Sequence, residues 1–247
     1  KRKHDDGIKA GQNSPEAFDE IFWRIYLGKK YIKNKFLSLH RVPKKILILY
    51  DTFISFYLKK DKSEFYITKN NNNILRLKSL IEYYNESIFL FCIRNPITHS
   101  LSLKRQHLNF IKVHEDDNFN LEYMNFLSHY EFGKNHKYMN LGIKNNYPID
   151  SVNYWLQHWV NYYGYLRKNF KKNQNLFFIV HEDYCQNKSG VINNIFTLLG
   201  ISKFMKNYKD YQSKDVNISR LINEFDSELL KKANNIYRYY KNDQRKL

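Results

Sequence analysis

The chain has 247 residues, of which 43% are hydrophobic, enough to bury a core and to exclude a wholly disordered protein. Lys and Arg number 41 against 24 Asp and Glu, so the formal net charge is +17 at pH 7. The two cysteines, Cys92 and Cys185, do not make a disulfide framework or a zinc site. No apolar run approaches the roughly 18 residues that a membrane-spanning helix needs, so we expect no membrane span.

The positive charge favours polyanionic partners: nucleic acid, sulfated or phosphorylated substrates, or an anionic membrane. Most of the basic residues are Lys, and the chain is also rich in Asn, Ile and Tyr, which share A/T-rich codons with Lys. Codon bias is therefore an alternative source of the charge that needs no polyanionic partner. No recognisable nucleic-acid module occurs, so we do not expect a nucleic-acid partner.

Periodicity predicts the elements of the first third of the chain. The segment Ser14-Pro15-Glu16 has the residues of a helix start. The apolar residues that follow at helical spacing are expected to bury one face of that helix: Phe18, Ile21, Phe22 and Ile25. Further along, the apolar pattern predicts a buried helix at 46–58, a short strand at 65–67 and a helix at 74–81.

The run Ile88–Ile93 is continuously apolar, which is typical of a central parallel strand buried on both faces. It ends at Arg94-Asn95-Pro96, and a helix is predicted from Thr98 onward. Residues 108–150 are polar and aromatic without clear periodicity, with an acidic patch at Glu115-Asp116-Asp117. We expect them to form a loop-rich excursion, a lid or an acceptor wall.

The last third of the chain continues the alternation of helix and strand. Its predicted elements are a helix from Trp155 to Leu166, a buried strand at Leu176–Val180, a helix over 192–199 that Gly200 ends, and an amphipathic helix at 218–240. Strands that alternate with helices predict one α/β domain over residues 1–247 with a mostly parallel sheet.

Open parallel sheets bind ligands beyond the carboxyl ends of their strands, which directs attention to Lys69, Arg94 and the residues after Val180. Arg94 leaves a predicted strand and precedes a helix, whose first N–H groups attract anions. Its planar guanidinium suits phosphate, and Ser102 is placed to meet the same anion. The alternative is that Arg94 only makes a local cap or ion pair and that Ser102 is a surface residue.

The order of several segments resembles the PAPS-dependent sulfotransferase family, and most closely its bacterial and carbohydrate-type members. The matching segments are a Lys-containing turn at Lys69–Asn72, a helix over 74–80, a buried strand at 88–91, the Arg94-Asn95-Pro96 corner and Ser102. Val180-His181-Glu182-Asp183-Tyr184 and the helix that ends at Gly200 resemble the family's later strand–Glu-Asp–helix segment. The resemblance spans residues 65–201.

The resemblance implies a three-layer sandwich of the P-loop NTPase-like type, with PAPS (3′-phosphoadenosine 5′-phosphosulfate) as sulfuryl donor and no metal. Arg94 and Ser102 would hold the 3′-phosphate, and Lys69 would supply a cation near the leaving oxygens. The product nucleotide would be PAP, adenosine 3′,5′-bisphosphate. We expect the acceptor to be a hydroxyl or amine of a glycan or other small molecule, with a carbohydrate preferred. The expected location is the cytoplasm, or the Golgi lumen for a eukaryotic chain.

The chain departs from the family pattern in three places. None of its eight glycines lies in a G-x-x-x-x-G-K-[ST] pattern, and the family's 5′-phosphosulfate loop is not found. The resemblance places that loop upstream of Lys1, so we interpret the chain as an N-terminally truncated fragment. The alternative, a polypeptide that never had the loop, should bind the donor poorly and lack activity. Asn70 stands where many relatives have Pro, and the Gly-rich 3′-phosphate loop of the cytosolic enzymes is not visible.

The resemblance also implies a general base near the start of the fold and leaves the residue unassigned. Candidates by position are His4, Asp5, Asp6, Glu16, Glu20 and His40. We interpret the acids of His181-Glu182-Asp183 as structural groups that orient the corner, and Trp155 and Trp159 as core. Because loops carry variable specificity, acceptor contacts are expected from Tyr123, Tyr130, Tyr138 and Tyr147.

Two alternatives stay open at this point. The first is an inactive sulfotransferase-like module that holds nucleotide or polyanion without turnover. The second is a basic nucleic-acid-binding protein that has no relation to sulfuryl transfer.

Overall fold

A computed structural model describes residues 19–201, 205–208 and 221–247. The predicted helix start at Ser14-Pro15-Glu16 lies outside these residues. The chain divides into two compact units, the first made of Lys1–Asn85 and Arg105–Lys144, the second of Glu86–Lys104 and Asn145–Leu247. A single domain over 1–247 stays a prediction.

Helices dominate the described chain, and short strands separate them. In chain order the elements are α1 (Asp19–Tyr31), β1 (Phe36–Ser38), α2 (Lys44–Asp61), a 3₁₀ helix (Asn71–Leu75), α3 (Leu77–Tyr83), β2 (Phe89–Ile93), α4 (Pro96–Asp116), α5 (Asn118–Phe126), β3 (Tyr138–Asn140), α6 (Val152–Phe170), β4 (Leu176–Val180), α7 (His181–Gln186), α8 (Lys188–Leu198), a 3₁₀ turn (Ile222–Glu224) and α9 (Ser227–Lys241).

The strands form two parallel pairs, which confirms the α/β class. In the first unit β1 pairs with β3, and in the second β2 pairs with β4, with Phe89 opposite Leu176 and Ile93 opposite Val180. The predicted strand at Leu176–Val180 and the predicted helix within α2 are confirmed. The three-layer sandwich stays a prediction.

The first unit packs around a buried ion pair. Both carboxylate oxygens of Glu20 accept hydrogen bonds from Nη2 of Arg76, at 2.9 and 3.0 Å, and the hydroxyl of Tyr31 also donates to Glu20. The Arg76 guanidinium lies over the rings of Trp23 and Tyr31, 4.9 and 5.2 Å from their centroids. A buried charge is tolerated only when paired in this way, so the cluster ties α1 to the start of α3.

The buried face of α1 agrees only in part with the predicted one, since Phe22 is buried as expected. Trp23 and Leu27 are buried, whereas Ile25, which was expected in the core, is 71% exposed. The inner face follows the series Glu20, Trp23, Leu27 and Tyr31 at helical spacing. The charged Glu20 is tolerated on that face because it is paired with Arg76. Since Arg76 lies far away in the sequence, the pattern of α1 alone does not predict this burial.

Two further sequence predictions for the first unit are wrong. Residues 65–67 are not a strand, and Phe65 and Ile67 are exposed, because no neighbouring strand pairs with them among the described residues. The loop-rich excursion at 108–150 is helical over its first part, since α4 continues to Asp116 and α5 follows it. The continuation of α4 buries His107, Phe110 and His114 at helical spacing, and two of these core residues are polar.

In the second unit, β2 is not buried on both faces as predicted. Leu90 is 40% exposed and Cys92 is also exposed, whereas Ile93 is fully buried. This alternation is typical of a strand with one solvated face. Its partner β4 buries Leu176, Phe178 and Val180 instead.

Helices α6 and α9 supply most of the core of the second unit. Trp155 and Trp159 are each 1% exposed, which confirms their interpretation as core residues. Gly200 follows α8 with a φ of +69°, a conformation that favours glycine, so the predicted helix stop is also confirmed. Within the described ranges, no helix combines the length and apolar character required to cross a bilayer.

The buried ion pair predicts that removal of its carboxylate costs more stability than removal of a carboxylate from an exposed pair. We expect Glu20→Ala to lower the free energy of unfolding by about 3–5 kcal/mol, because it leaves the Arg76 charge buried and unpaired. The matched control is Glu82→Ala, which removes the partner of the exposed Arg41 and should cost about 1 kcal/mol or less. Urea unfolding of the two variants measures the difference, and equal losses would contradict the account.

Candidate functional site

The corner that follows β2 lies at the carboxyl edge of the parallel pair. Ile93 is opposite Val180, so Arg94 and His181 leave the same edge of β2 and β4. Helix α4 begins at Pro96, two residues after Arg94. Strand, corner and helix thus follow one another as the sequence predicts, at the edge where parallel sheets bind ligands.

The first backbone N–H groups of α4 are already occupied, which corrects the expectation that they are free for an anion. Oδ1 of Asn95 accepts from the amides of Ile97 and Thr98, at 3.0 and 3.3 Å. Pro96 has no N–H, and the amide of His99 donates to the carbonyl of Asn95 at 2.9 Å. The donors that the corner leaves for an anion are therefore on side chains and not on these amides.

The acids that follow β4 anchor the corner. Oε1 of Glu182 accepts from the backbone N–H of Asn95 at 2.9 Å, and its Oε2 accepts from the hydroxyl of Tyr237 at 2.7 Å. Asp183 forms an ion pair with Lys246 at 2.8 Å. The contact with Asn95 supports the interpretation of Glu182 as a structural group that orients the corner, whereas the contact of Asp183 is with Lys246.

Among the described residues, the Arg94 side chain has a hydroxyl for a partner and no carboxylate. Its Nε donates to Oγ1 of Thr98 at 3.2 Å, and its carbonyl accepts from Nε1 of Trp159 at 3.2 Å. The part of the chain that the structure describes gives the two Nη groups no hydrogen-bond acceptor. Arg94 is part-buried and not fully enclosed. Its Nη groups are therefore donors that a ligand can use.

Arg94 and Ser102 lie on the same side of the corner. Thr98 precedes Ser102 by four residues in α4, so their side chains lie one above the other on one face of the helix, with Cβ atoms about 5–6 Å apart. Arg94 contacts that face through its bond to Thr98. Ser102 is half-buried, whereas the hydroxyl of Ser100 is buried and donates to the carbonyl of Pro96. We call Arg94, Thr98 and Ser102 the Arg94 corner.

Three histidines near the Arg94 corner are neutral at pH 7. Burial, followed by the charge of Arg94 and the two other imidazoles, lowers the pKa of His99 to about 3. Burial lowers the pKa of His158 to about 4, and burial together with Arg94 lowers the pKa of His181. Arg94 is therefore the cation of this group of residues.

Lys69 lies in the first unit, in a turn whose two flanking side chains are fixed. The hydroxyl of Thr68 donates to Asp19 at 2.8 Å, and the amide of Asn70 donates to Glu20 at 2.7 Å. Burial raises the pKa of Asp19. Lys69 itself is exposed, and its role stays a prediction of the resemblance.

The described residues do not single out one of the candidates as the general base. Glu20 is fully buried and bonded to Arg76 and Tyr31, so its role is structural. Burial, followed by the charge of Arg76, lowers the pKa of His40 to about 4, which makes this imidazole a weak base at neutral pH. The other candidates lie outside the described residues: His4, Asp5, Asp6 and Glu16.

The tyrosines predicted to contact the acceptor divide between the units. Tyr147 belongs to the second unit, where it lines a groove with Gln157, Asp226 and Lys231. The remaining three belong to the first unit: Tyr123, Tyr130 and Tyr138. Over the described ranges, no three His, Cys, Asp or Glu side chains are grouped so as to hold a metal ion.

Thr98 is the residue of the corner that sequence reasoning missed. The sequence spacing pointed to Thr98, which stands four residues after Arg94 and four before Ser102. Spacing alone did not reveal the bond between its hydroxyl and Arg94, which depends on the turn that Asn95 and Pro96 make between the strand and α4.

Comparison of the chain with protein-family models, with curated proteins and with solved structures finds no match.

The neutral histidines predict a pH-dependent stability. Below about pH 6.5 the unfolded chain protonates His99 and His158, whereas the folded chain does so only near pH 3 and 4. The free energy of unfolding should therefore decrease as the pH is lowered from 6.5 to 4, by up to about 1.4 kcal/mol per pH unit for each histidine. Urea unfolding across this range measures the slope. His99→Gln should reduce it, and a slope unchanged in that variant would contradict the assignment.

Proposed function

We propose that the chain is a PAPS-dependent sulfotransferase domain, with a three-layer P-loop NTPase-like fold, that moves a sulfuryl group to a hydroxyl or amine. One observation carries the proposal: at the carboxyl edge of a parallel strand pair, Arg94 bonds through Nε to Thr98, four residues before Ser102 in α4, and both of its Nη groups are free of acceptors from the described residues. The order of motifs over residues 65–201 supports the same function.

The donor set of the corner suits a phosphate group. A guanidinium binds phosphate through two parallel N–H···O bonds, and charge-assisted bonds of this kind are about twice as strong as neutral ones. The Ser102 hydroxyl adds a neutral donor on the same face. We assign these two residues to the 3′-phosphate of PAPS, and of PAP after the transfer.

The proposed reaction is a direct displacement at sulfur. The acceptor oxygen or nitrogen forms a bond to sulfur while the bond between sulfur and the 5′-phosphate oxygen breaks, and PAP leaves with that electron pair. A general base takes the acceptor proton. Positioning and stabilisation of the developing charge lower the barrier, and Lys69 is the residue that we propose as a cation near the leaving oxygen. The acceptor class is a glycan or other small molecule, with a carbohydrate preferred.

Nucleotide binding tests the assignment of the corner. Arg94→Ala should weaken PAP binding at least about tenfold, because it removes a charge-assisted contact worth roughly 1.5–3 kcal/mol. Ser102→Ala should weaken it about fivefold, for a neutral contact of about 1 kcal/mol. Calorimetric titration measures both affinities. Arg238→Ala, at an exposed position of α9, is the matched control and should bind like the wild type.

The binding and transfer assays distinguish the proposed function from its two alternatives. Unchanged PAP affinity in a folded Arg94→Ala variant would reject the proposed site. PAP binding without transfer from PAPS to a panel of sugars and amines would select the inactive nucleotide-binding module. Binding of DNA or RNA by a chain that does not bind PAP would select the basic nucleic-acid-binding protein.

A further inference from the structure

We propose that Thr98 is a positioning residue that directs Arg94 toward the phosphate. The inference rests on the proposed function of the corner and names a residue to which the motif resemblance gives no role. It starts from the bond of 3.2 Å between Nε of Arg94 and Oγ1 of Thr98.

The direction of that bond determines which edge of the guanidinium meets a ligand. Arginine has one N–H on Nε and two on each Nη, all in one plane. The Nε–H of Arg94 is used by Thr98, so the edge formed by Nε and one Nη is not available for two parallel bonds. The phosphate is therefore bound end-on, by Nη1 and Nη2 together.

Thr98 orients Arg94 and does not itself donate to the phosphate. Its hydroxyl has a single proton, which it donates to the carbonyl of Asn95 at 3.3 Å. A lone pair is left to accept from Arg94. The hydroxyl is thus an acceptor toward the guanidinium and has no proton left for an anion.

Thr98 is held in turn by the anchored corner. Its backbone N–H donates to Oδ1 of Asn95 at 3.3 Å, and the N–H of Asn95 donates to Glu182 at 2.9 Å. The series Glu182, Asn95, Thr98 and Arg94 therefore links β4 and α7 to the guanidinium through hydrogen bonds. Such a support lowers the conformational entropy that a long side chain loses on binding.

Paired substitutions separate positioning from simple packing. Thr98→Val keeps the branched shape and removes the hydroxyl, so we expect PAP affinity to fall about three- to tenfold. Thr98→Ser keeps the acceptor and should stay within about twofold of the wild type. Thr197→Val is the matched control, because that hydroxyl donates to the carbonyl of Asn193 within α8. The PAP affinity of this variant should be unchanged.

A double-mutant cycle then tests whether Thr98 acts through Arg94. In an Arg94→Ala background, Thr98→Val should weaken binding by less than about twofold, because the group that it orients is gone. Calorimetric titration with PAP gives the four affinities, and thermal unfolding reports whether each variant folds. If Thr98→Val does not fold, Thr98→Ala takes its place against Thr98→Ser.

Three results would overturn the inference. They are wild-type affinity in Thr98→Val, a failure of Thr98→Ser to keep the affinity, and an equal loss from Thr98→Val with and without Arg94. In these cases the wild type still binds PAP, so the inference about Thr98 fails without contradicting the proposed function. If the wild-type chain does not bind PAP, the proposed function fails and this inference fails with it.

Discussion

The parallel pairing of β2 and β4 is the constraint on which the Arg94 corner depends. Ile93 and Val180 end the two strands side by side, and both are fully buried. This register brings Glu182 to the backbone of Asn95, and with it the turn that carries Arg94. A slip by one residue would turn the side chains of one strand to the opposite face and would separate these partners.

A comparison of two arginines indicates which one is available to a ligand. Arg76 is fully buried, bonded to both oxygens of Glu20 and enclosed by the rings of Trp23 and Tyr31. Its charge is neutralised within the protein, so it stabilises the first unit. Arg94 is part-buried and bonded to a neutral hydroxyl, so its charge is left for an anion. Because Asn95 already caps the first amides of α4, side chains are the groups of the corner that are left to bind an anion.

Local apolar patterns made much of the fold predictable. The runs in α2 and β4 and the tryptophans of α6 were identified because core positions there are filled by apolar residues. The prediction failed where polar residues occupy the core. Glu20 is buried by pairing with a residue far along the chain, and His107 and His114 fill positions on α4 that have no apolar signal.

The candidate site was predictable in outline, and its chemistry only in part. The end of the strand, the Arg-x-Pro corner and the serine further along α4 are visible in the sequence as Arg94, Pro96 and Ser102. The cap by Asn95 was not, because asparagine at this position is equally compatible with a turn exposed to solvent. The role of Thr98 was hidden for a similar reason, since a hydrogen bond between side chains depends on rotamers that spacing does not determine.

The most direct test is to observe the guanidinium itself while the nucleotide binds. In a chain labelled with ¹⁵N-arginine, we expect the Nη signals of Arg94, assigned by comparison with Arg94→Ala, to shift on titration with PAP. The Nε signal should shift less, because Thr98 keeps that bond. Saturable PAP binding that leaves the Arg94 signals in place would contradict the central claim that this corner holds the phosphate.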